Sequence, residues 1–378
     1  MARMDSRLNT WPWILSTCVL LVYVFISFAE ADQGDGAGLM ATNITSEGRQ
    51  NIDQQWLFSF GANDGTPFSP QRDRIAVDLP HDYSIIQERD PKAPGGNSVG
   101  FFPGGVATYE KTLFIPDTLE GKRCLLEFEG VYMNSVVSFN DNIVARQPYG
   151  YTTFHCDVTP YIRWGQENKI SVGVNNGTQP NSRWYSGSGI YRHIWILVYN
   201  DVHIAPWGVF VTTPVVSPES STISVKTTVE NTGTTTAQTV IHTTLLDVSG
   251  NEVAKTITAA DITAESSLEV SQSLIADSPT LWSVETPYLY RLRSEVIKGG
   301  EVVGNRTTRI GIRSISFDAK DGFRLNGIPL ELKGGCIHSD NGRPRAVAGS
   351  GRGDPDDRET RSNDGRMFRR SGHGASSR

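Results

Sequence analysis

Cysteine is scarce in this sequence, which limits how the fold can be held together. The 378 residues contain four cysteines, and Cys18 falls in an apolar N-terminal segment. The remaining Cys124, Cys156 and Cys336 allow at most one disulfide, and no two of them have the short spacing of a metal-binding pair. We therefore expect a fold that rests on hydrophobic cores, with neither a metal nor another cofactor.

An excess of positive charge is also missing. The chain has 35 Lys and Arg against 41 Asp and Glu, so its formal net charge is −6. A basic stripe or patch is the electrostatic signature of proteins that bind nucleic acid. Nine arginines fall in residues 343–378, but five acidic residues lie among them. The composition therefore predicts no nucleic-acid partner.

Long apolar runs are limited to one, at residues 11–28, near the N-terminus. Arg3 and Arg7 precede this run, and the small-x-small triplet at residues 29–31 follows it. This order is typical of a secretory signal peptide, so residues 1–31 are predicted to be removed before Asp32. An uncleaved membrane anchor is the alternative, because the run is long for a signal. Nothing downstream resembles a second span, so the cleaved protein is expected to be secreted and free of the membrane.

Three N-glycosylation sequons agree with an extracellular location. They begin at Asn43, Asn176 and Asn305, and each has the form Asn-X-Thr. Because such triplets arise easily by chance, they only add weight to the prediction of secretion.

Helical periodicity is absent from residues 51–314, and short alternating segments take its place. Cys124, Leu126 and Phe128 alternate with Glu127 and Glu129, which is typical of a strand with two unlike faces. Turn signals such as Pro-Gly-Gly separate these segments. The pattern predicts an all-β sandwich over residues 51–205 and an immunoglobulin-like β-sandwich over residues 206–314.

The sequence changes again after residue 314. Leu330 and Leu332, bounded by Asn-Gly and Gly-Gly, predict a short buried strand that ends in a polar loop carrying His338 and Asp340. Polar residues at strand ends are typical of the sites of α/β barrels, so residues 315–342 are interpreted as the start of such a barrel. Residues 343–378 have nine arginines, no lysine and few large apolar residues. We expect this tail to be disordered or read out of frame.

Seven segments, in this order, resemble the N-terminal half of glycoside hydrolases of family 2, closest to the β-galactosidase branch. They lie at residues 79–84 (LPHDYS), 102–111 (FPGGVATYEK), 128–135 (FEGVYMNS), 151–159 (YTTFHCDVT), 182–192 (SRWYSGSGIYR), 281–290 (LWSVETPYLY) and 323–342. The resemblance covers about residues 52–342. It implies a mainly β fold: a jelly-roll sugar-binding sandwich over 51–205, the immunoglobulin-like sandwich over 206–314, and then only the first strand of a (β/α)8 barrel.

The resemblance also implies a chemistry, namely the retaining hydrolysis of terminal β-D-glycosides. That reaction needs a nucleophilic and an acid/base glutamate whose carboxyl groups lie about 5–5.5 Å apart. In the family both lie on later barrel strands, so we expect no catalytic residue in this sequence and no activity from it as written. Its one Asn-Glu pair, Asn251-Glu252, follows Gly250 and is interpreted as a hairpin turn. The alternative function is a non-catalytic, secreted carbohydrate-binding β-sandwich protein.

Five residues are predicted to contact a carbohydrate partner, a β-galactoside or related oligosaccharide. His338 and Asp340 match family positions at the first barrel strand, although His338 could instead bond to backbone and Asp340 could cap a loop. Asn181 and Arg183 offer hydrogen-bonding groups, and Trp184 offers a face for a pyranose ring. The alternative is that Trp184 and its neighbour Tyr185 pack a domain interface while Arg183 pairs with an acid. The family carries an aspartate near position 182, where this chain has serine.

Overall fold

The computed structural model describes residues 40–60, 74–320, 322–336 and 366–368. The predicted signal peptide and most of the predicted tail lie outside these residues. In the part of the chain that is described, no helix is both long and apolar enough to cross a membrane. Nearly all of the regular structure is β, with three short 3-10 helices at Gly96–Val99, Asp117–Leu119 and Thr159–Tyr161.

The first eleven strands form a two-sheet sandwich. One sheet has the order β4-β3-β5-β10-β7-β8, with β1 pairing parallel to β5, and the other has the order β2-β11-β6-β9. The strands are β1 Thr42–Asn43, β2 Gly48–Asn51, β3 Trp56–Phe60, β4 Ile75–Val77, β5 Val106–Ile115, β6 Arg123–Phe128, β7 Ser135–Phe139, β8 Asn142–Gln147, β9 Phe154–Asp157, β10 Gln166–Asn175 and β11 Ile194–Tyr199. The sandwich therefore begins with β1 and β2, on the N-terminal side of the predicted boundary at residue 51.

Alternation along β6 places its residues as the sequence predicted. Cys124, Leu126 and Phe128 point into the core between the two sheets, where each is fully buried. Glu127 lies on the opposite face, yet it is also buried, because Arg49 and His155 close over it. Burying a carboxylate is costly unless cations and hydrogen-bond donors surround it. The outer face of this sheet is therefore an ion-pair network rather than a plain solvated surface.

Residues 202–310 form the second sandwich. Its sheets have the orders β12-β13-β16 and β15-β14-β17-β18. The strands are β12 Val202–Val215, β13 Ser220–Asn231, β14 Ala237–Leu246, β15 Glu252–Ile262, β16 Ser266–Asp277, β17 Tyr290–Lys298 and β18 Glu301–Ile310. Inward residues such as Ile223, Val225, Ile241 and Leu292 are fully buried between the sheets. The prediction of two successive β-sandwiches is confirmed, with β12 running continuously through the predicted boundary between residues 205 and 206.

The two sandwiches meet through polar and aromatic contacts. The Arg123 guanidinium in β6 pairs with Glu230 in β13, and it also lies 3.4 Å from the carboxylate of Asp157. A bulge in β12 between Ile204 and Val209 turns Trp207 outward, where its ring packs edge-on against His155 at 4.6 Å between centroids. The bulge accompanies the contact of Trp207 with the first sandwich and so helps to fix the seam between the domains.

After the second sandwich the chain forms a small three-stranded sheet of β19 Ile315–Asp318, β20 Gly322–Leu325 and β21 Ile328–Pro329. The predicted buried strand through Leu330 and Leu332 is wrong. Residues 331–333 lie in no strand, and Leu332 is 50% exposed, because no described element covers this segment. Strand β22 Gly334–Cys336 then pairs antiparallel with β23 Arg366–Phe368, so three residues of the predicted tail are in a strand.

Candidate functional site

Three of the five predicted carbohydrate contacts lie in one connection of the first sandwich. Asn181, Arg183 and Trp184 belong to residues 176–193, which join β10 to β11. His338 and Asp340 lie outside the described residues, and their predicted roles stay predictions. The geometry of the candidate site therefore comes from this connection and from the loops that touch it.

Asn181 holds the connection in place. Its Nδ2 donates to Oδ1 of Asn176 at 2.6 Å and to the carbonyl oxygen of Thr178 at 3.3 Å. Its Oδ1 accepts a hydrogen bond of 3.2 Å from the hydroxyl of Tyr132. Both ends of the amide are thus engaged within the protein, so the observed role of Asn181 is to fix the loop conformation.

Arg183 is exposed, and its guanidinium has neither an ion pair nor a hydrogen bond with any of the described residues. The alternative expectation, that Arg183 pairs with an acid, therefore has no support within the described part of the chain. An exposed guanidinium group can bind a polar or acidic ligand through its hydrogen-bond donors.

Trp184 and Tyr185 are adjacent, but their side chains have different surroundings. Trp184 is 42% exposed, and its Nε1 donates to the Tyr151 hydroxyl at 3.1 Å. Tyr185 is buried, packs edge-on against Phe102 at 5.5 Å, and donates from its hydroxyl to Oδ2 of Asp82 at 2.7 Å. Tyr185 therefore packs in a small apolar cluster with Val99 and Phe102, whereas Trp184 is partly exposed.

A tyrosine–tryptophan cluster, formed by Tyr149, Tyr151 and Trp184, is the feature that the sequence analysis missed. Tyr149 is 56% exposed, and its ring centroid lies 5.6 Å from that of Tyr151 at an interplanar angle of 65°. Tyr151 in turn packs on the buried ring of Tyr132 at 5.1 Å. The Tyr-Gly-Tyr triplet at residues 149–151 was the available signal, because a glycine between two aromatic residues lets a loop lie close against a neighbour.

A buried polar network holds the connection between β10 and β11 against the segment that follows β4. Oδ1 of Asp82 accepts hydrogen bonds from the backbone N–H groups of Ser84 and Ser188, both at 2.9 Å. The Ser84 hydroxyl donates to the Ser188 hydroxyl at 2.7 Å, and Nδ2 of Asn176 donates to the same Ser188 oxygen at 2.7 Å. Burial raises the pKa of the Asp82 carboxyl above its ordinary value, although these donors oppose that shift. The network therefore ties this connection to the segment that follows β4.

His81 belongs to the same region. Its Nδ1 lies 2.8 Å from the hydroxyl of Tyr109, and its ring packs edge-on against Phe58 at 4.7 Å. Burial lowers the pKa of His81 to about 4, since the charged imidazolium would lose its hydration. At neutral pH this histidine is therefore an uncharged structural residue.

Two described cysteines are buried, and the described acidic residues form no metal-binding cluster. Cys124 and Cys156 are free thiols in the first core, and burial raises both of their pKa values, which disfavours the reactive thiolate. Among the residues that the structure describes, no three His, Cys, Asp or Glu side chains are placed to hold a metal ion. Asn251 and Glu252 lie at a turn between β14 and β15, where Gly250 has φ of +90°, so the hairpin prediction is confirmed.

An open cleft of about 640 Å³ lies at the seam between the sandwiches. Its lining includes Lys122, Arg123, Asp157 and Glu230, and none of the predicted site residues. Because Arg123 pairs with both of these acids, the charges of the cleft largely satisfy one another. Its polar lining fits a seam between domains better than a pocket for a sugar ring, which needs an aromatic face.

Known proteins share both this architecture and much of this sequence. The sequence model of Glycosyl hydrolases family 2 matches residues 202–313, which are the second sandwich. A β-galactosidase of Bacteroides ovatus, BoGH2A, is 37% identical over 311 residues, covering 81% of this chain and 36% of the relative. The chain belongs to glycosyl hydrolase family 2. The predicted family is thereby confirmed.

Solved structures of the family carry the same sandwiches. A family 2 member from Bacteroides cellulosilyticus superposes with a TM-score of 0.74 at 37% identity, covering 78% of this chain and 39% of that one. A β-glucuronidase of Bacteroides fragilis is also similar, at 28% identity over 309 residues, covering 77% of this chain and 42% of the relative. This family 2 chain thus spans less than half the length of each of these three relatives. Two of them are named for a substrate, one as a galactosidase and the other as a glucuronidase.

Proposed function

We propose that this chain supplies the N-terminal sandwich domains of a secreted β-glycosidase that acts on terminal β-D-galactosides by a retaining mechanism. The observation that carries the proposal is the 37% identity with the Bacteroides ovatus β-galactosidase across both sandwiches. The named galactosidases and glucuronidases among the relatives share a carbohydrate substrate, and the galactoside is favoured by that similarity together with the Ile-His-Ser-Asp-Asn-Gly sequence at residues 337–342.

In this proposal the sandwiches support binding rather than bond cleavage. Retaining hydrolysis requires two carboxyl groups about 5–5.5 Å apart, one on each side of the glycosidic bond. Two described carboxylates that lie near each other in the chain, Glu127 and Glu129, both bind Arg49, and Glu127 also binds His155. These ion pairs hold the two carboxylates in a structural network, and for Glu127 they lower the pKa, which is the opposite of what a proton donor needs.

The experiment compares native and recombinant protein. Antibodies raised against the first sandwich would capture the native protein from its source, and the captured protein would be assayed with p-nitrophenyl β-D-galactoside and p-nitrophenyl β-D-glucuronide. We expect galactoside hydrolysis by the captured protein and none by recombinant residues 1–378. Faster glucuronide hydrolysis would replace the galactoside by a uronide, and the absence of both activities from the captured protein would overturn the glycosidase proposal.

Secretion is part of the same proposal. It is supported by the signal-like sequence of residues 1–31 and by the exposure of Asn43 and Asn305 in two of the three sequons. The third sequon gives no support, because Asn176 is buried and its amide donates hydrogen bonds to Gly187 and Ser188. N-terminal mass spectrometry of the native protein should find Asp32 as the first residue, and a first residue ahead of the apolar run would count against cleavage.

A further inference from the structure

We propose that the secreted protein carries N-linked glycans on Asn43 and Asn305 and none on Asn176, although each of the three residues begins an Asn-X-Thr sequon. The inference rests on the secretion that is part of the proposed function, because these glycans are added only to chains that enter the secretory pathway. In the sequence the three sequons are equivalent. In the folded protein the side-chain amides of the three residues have very different surroundings.

Asn43 lies on the surface of the first sandwich. It is the last residue of β1, which pairs with β5, and it lies opposite Phe114. The next residue, Ile44, is buried in the core, so the alternation of an extended chain directs the exposed Asn43 side chain outward. Thr45, whose hydroxyl completes the sequon, is also exposed. A glycan on Asn43 would therefore extend into solvent without a change in the sandwich.

Asn305 lies on the surface of the second sandwich. It belongs to β18, the last strand in the sheet order β15-β14-β17-β18, and it is paired with Glu295 of β17. Asn305 and Thr307 are both exposed, and the Asn305 side-chain amide makes no hydrogen bond with the described residues. Glycosylation would thus break no interaction of the folded chain. Because a glycan is large and hydrophilic, it would keep this side of β18 in contact with water.

Asn176 has the opposite surroundings, since only 1% of its surface is exposed. Its Nδ2 donates to the carbonyl oxygen of Gly187 at 3.0 Å and to the Ser188 hydroxyl at 2.7 Å, so both hydrogens of the amide are used. Its Oδ1 accepts a hydrogen bond from Nδ2 of Asn181 at 2.6 Å. A sugar on Nδ2 would take the place of one of these hydrogens, in a buried position. The fold therefore excludes a glycan at this residue.

The transfer reaction shows why the amide hydrogens decide the outcome. The donor is an oligosaccharide joined through N-acetylglucosamine to a polyprenyl diphosphate, which the secretory pathway supplies. The Asn nitrogen forms a bond to C1 of that sugar while the bond between C1 and the diphosphate oxygen breaks. The nitrogen gives up one proton and polyprenyl diphosphate leaves, so the modified Asn keeps one amide hydrogen. A chain modified at Asn176 could form only one of the bonds to Gly187 and Ser188, and we expect it to misfold and be retained.

The test expresses the whole 378-residue chain in a secretory eukaryotic host. One version keeps its own residues 1–31, and a second has an established secretion signal in their place. Circular dichroism and thermal melting establish that the secreted protein is folded. It is then denatured and treated with peptide-N-glycosidase in water enriched in heavy oxygen, which converts each glycosylated Asn to a labelled Asp. Mass spectrometry of the peptides identifies the labelled positions.

Sequon variants provide the controls. Thr45→Ala, Thr307→Ala and Thr178→Ala each remove one sequon hydroxyl and leave every Asn in place. Thr178 is exposed like the other two threonines, so Thr178→Ala is the matched control for the sequon of Asn176. Thr307→Ser keeps a hydroxyl at the sequon and tests whether the effect of Thr307→Ala comes from the glycan.

We expect the label at Asn43 and Asn305 and none at Asn176. Thr45→Ala and Thr307→Ala should each lose one glycan and migrate faster on a denaturing gel, whereas Thr178→Ala and Thr307→Ser should migrate like the wild type. The label at Asn176 in folded secreted protein, or its absence from Asn43 or from Asn305, would overturn the inference.

The outcomes of this test are distinct from those of the proposed function. Secretion only with the replaced signal would count against residues 1–31 as a signal peptide, while glycans at Asn43 and Asn305 of that protein would still support the inference. Hydrolysis of the galactoside is measured separately on the captured native protein. The glycosidase proposal can therefore fail while the glycosylation pattern is found, and the reverse is equally possible.

Discussion

The Tyr185 hydroxyl donates a 2.7 Å hydrogen bond to Oδ2 of Asp82, a residue 103 positions earlier in the chain. The other oxygen of the same carboxylate accepts the backbone N–H groups of Ser84 and Ser188. One buried acid therefore ties the connection between β10 and β11 to the segment after β4. Because Trp184 directly precedes Tyr185, the buried Asp82 carboxylate also helps to set the position of the partly exposed Trp184 ring.

The first prediction concerns this acid. Asp82→Asn replaces one acceptor oxygen by an NH2 group, which then faces a donor, either the Tyr185 hydroxyl or a backbone N–H. A buried donor left without an acceptor costs about 1–3 kcal/mol, so we expect the free energy of unfolding to fall by about that amount. Urea denaturation followed by circular dichroism measures the loss.

Asp90→Asn is the control for this prediction, because Oδ1 of Asp90 also accepts a backbone N–H, that of Lys92, but in an exposed turn. Water can replace that bond, and we expect a loss several-fold smaller. If Asp82→Asn were no less stable than Asp90→Asn, the buried carboxylate would not be holding the loop.

The sequence was sufficient to predict the two sandwiches because their strands obey a simple rule. In β6 and β13, residues two apart reach the same core, and their apolar character marks that core directly. The burial of Glu127 could not be predicted in the same way. Its neighbours Arg49 and His155 come from strands far apart in the sequence, and only the sheet order β2-β11-β6-β9 brings them over its carboxylate.

The candidate site was harder to predict than the fold. Trp184 stood out as an aromatic residue in a polar loop, but Tyr149 and Tyr151 occur in a separate loop, and their contact with Trp184 depends on tertiary structure. The expected strand at Leu330 and Leu332 failed for a related reason. Apolar residues form a buried strand only where other elements cover them, and no described element does so there.

The second prediction concerns Gly150, which lies between Tyr149 and Tyr151 in the chain. In Gly150→Ala the new methyl group would come within 2.3 Å of the Tyr132 ring, so either the loop or the ring must move. Overpacking of this kind costs about 1–3 kcal/mol, and we expect a corresponding loss of stability in urea denaturation. The near-ultraviolet circular dichroism of the tyrosines should change as well.

Gly177→Ala is the matched control for Gly150→Ala. The nearest atom to its new methyl group is a side-chain oxygen of Asn175 at 3.3 Å, which can shift by the few tenths of an ångström required. We expect this variant to melt close to the wild type. Equal melting temperatures for the Gly150→Ala and Gly177→Ala proteins would show that the loop is not tightly packed on Tyr132.

The third prediction concerns the seam between the sandwiches. His203 and Arg123 lower the pKa of Glu230 below its ordinary value, against the opposing effect of burial. A carboxylate with a lowered pKa in the folded state contributes stability above the unfolded value of about 4.5, and loses that contribution as the pH falls through its folded pKa. We expect Glu230→Gln to weaken the coupled unfolding of the two sandwiches at pH 7, as measured by calorimetry, and to have a smaller effect at pH 3.

Glu269→Gln provides the comparison for the seam. Among the described residues, Glu269 pairs only with Lys226, on the exposed surface of the second sandwich, and such pairs contribute about 0–1 kcal/mol. Two separate calorimetric transitions in Glu230→Gln, but one in Glu269→Gln, would agree with a role for the seam in coupling the domains. If the two variants unfolded alike at both pH values, Glu230 would have no special role at the seam.

The fourth prediction concerns acid stability and His81. The pKa of this buried imidazole is about 4 in the folded protein, against 6.5 in the unfolded chain. Between these values the unfolded chain takes up a proton that the folded protein does not, so His81 makes the stability fall as the pH drops from 6.5 towards 4. His81→Gln keeps a polar group near the Tyr109 hydroxyl but cannot titrate, so we expect a smaller stability difference between pH 7 and pH 5 than in the wild type. Urea denaturation at the two pH values measures this difference, with His242→Gln in the second sandwich as the control; an unchanged pH dependence in His81→Gln would mean that other groups cause the acid sensitivity.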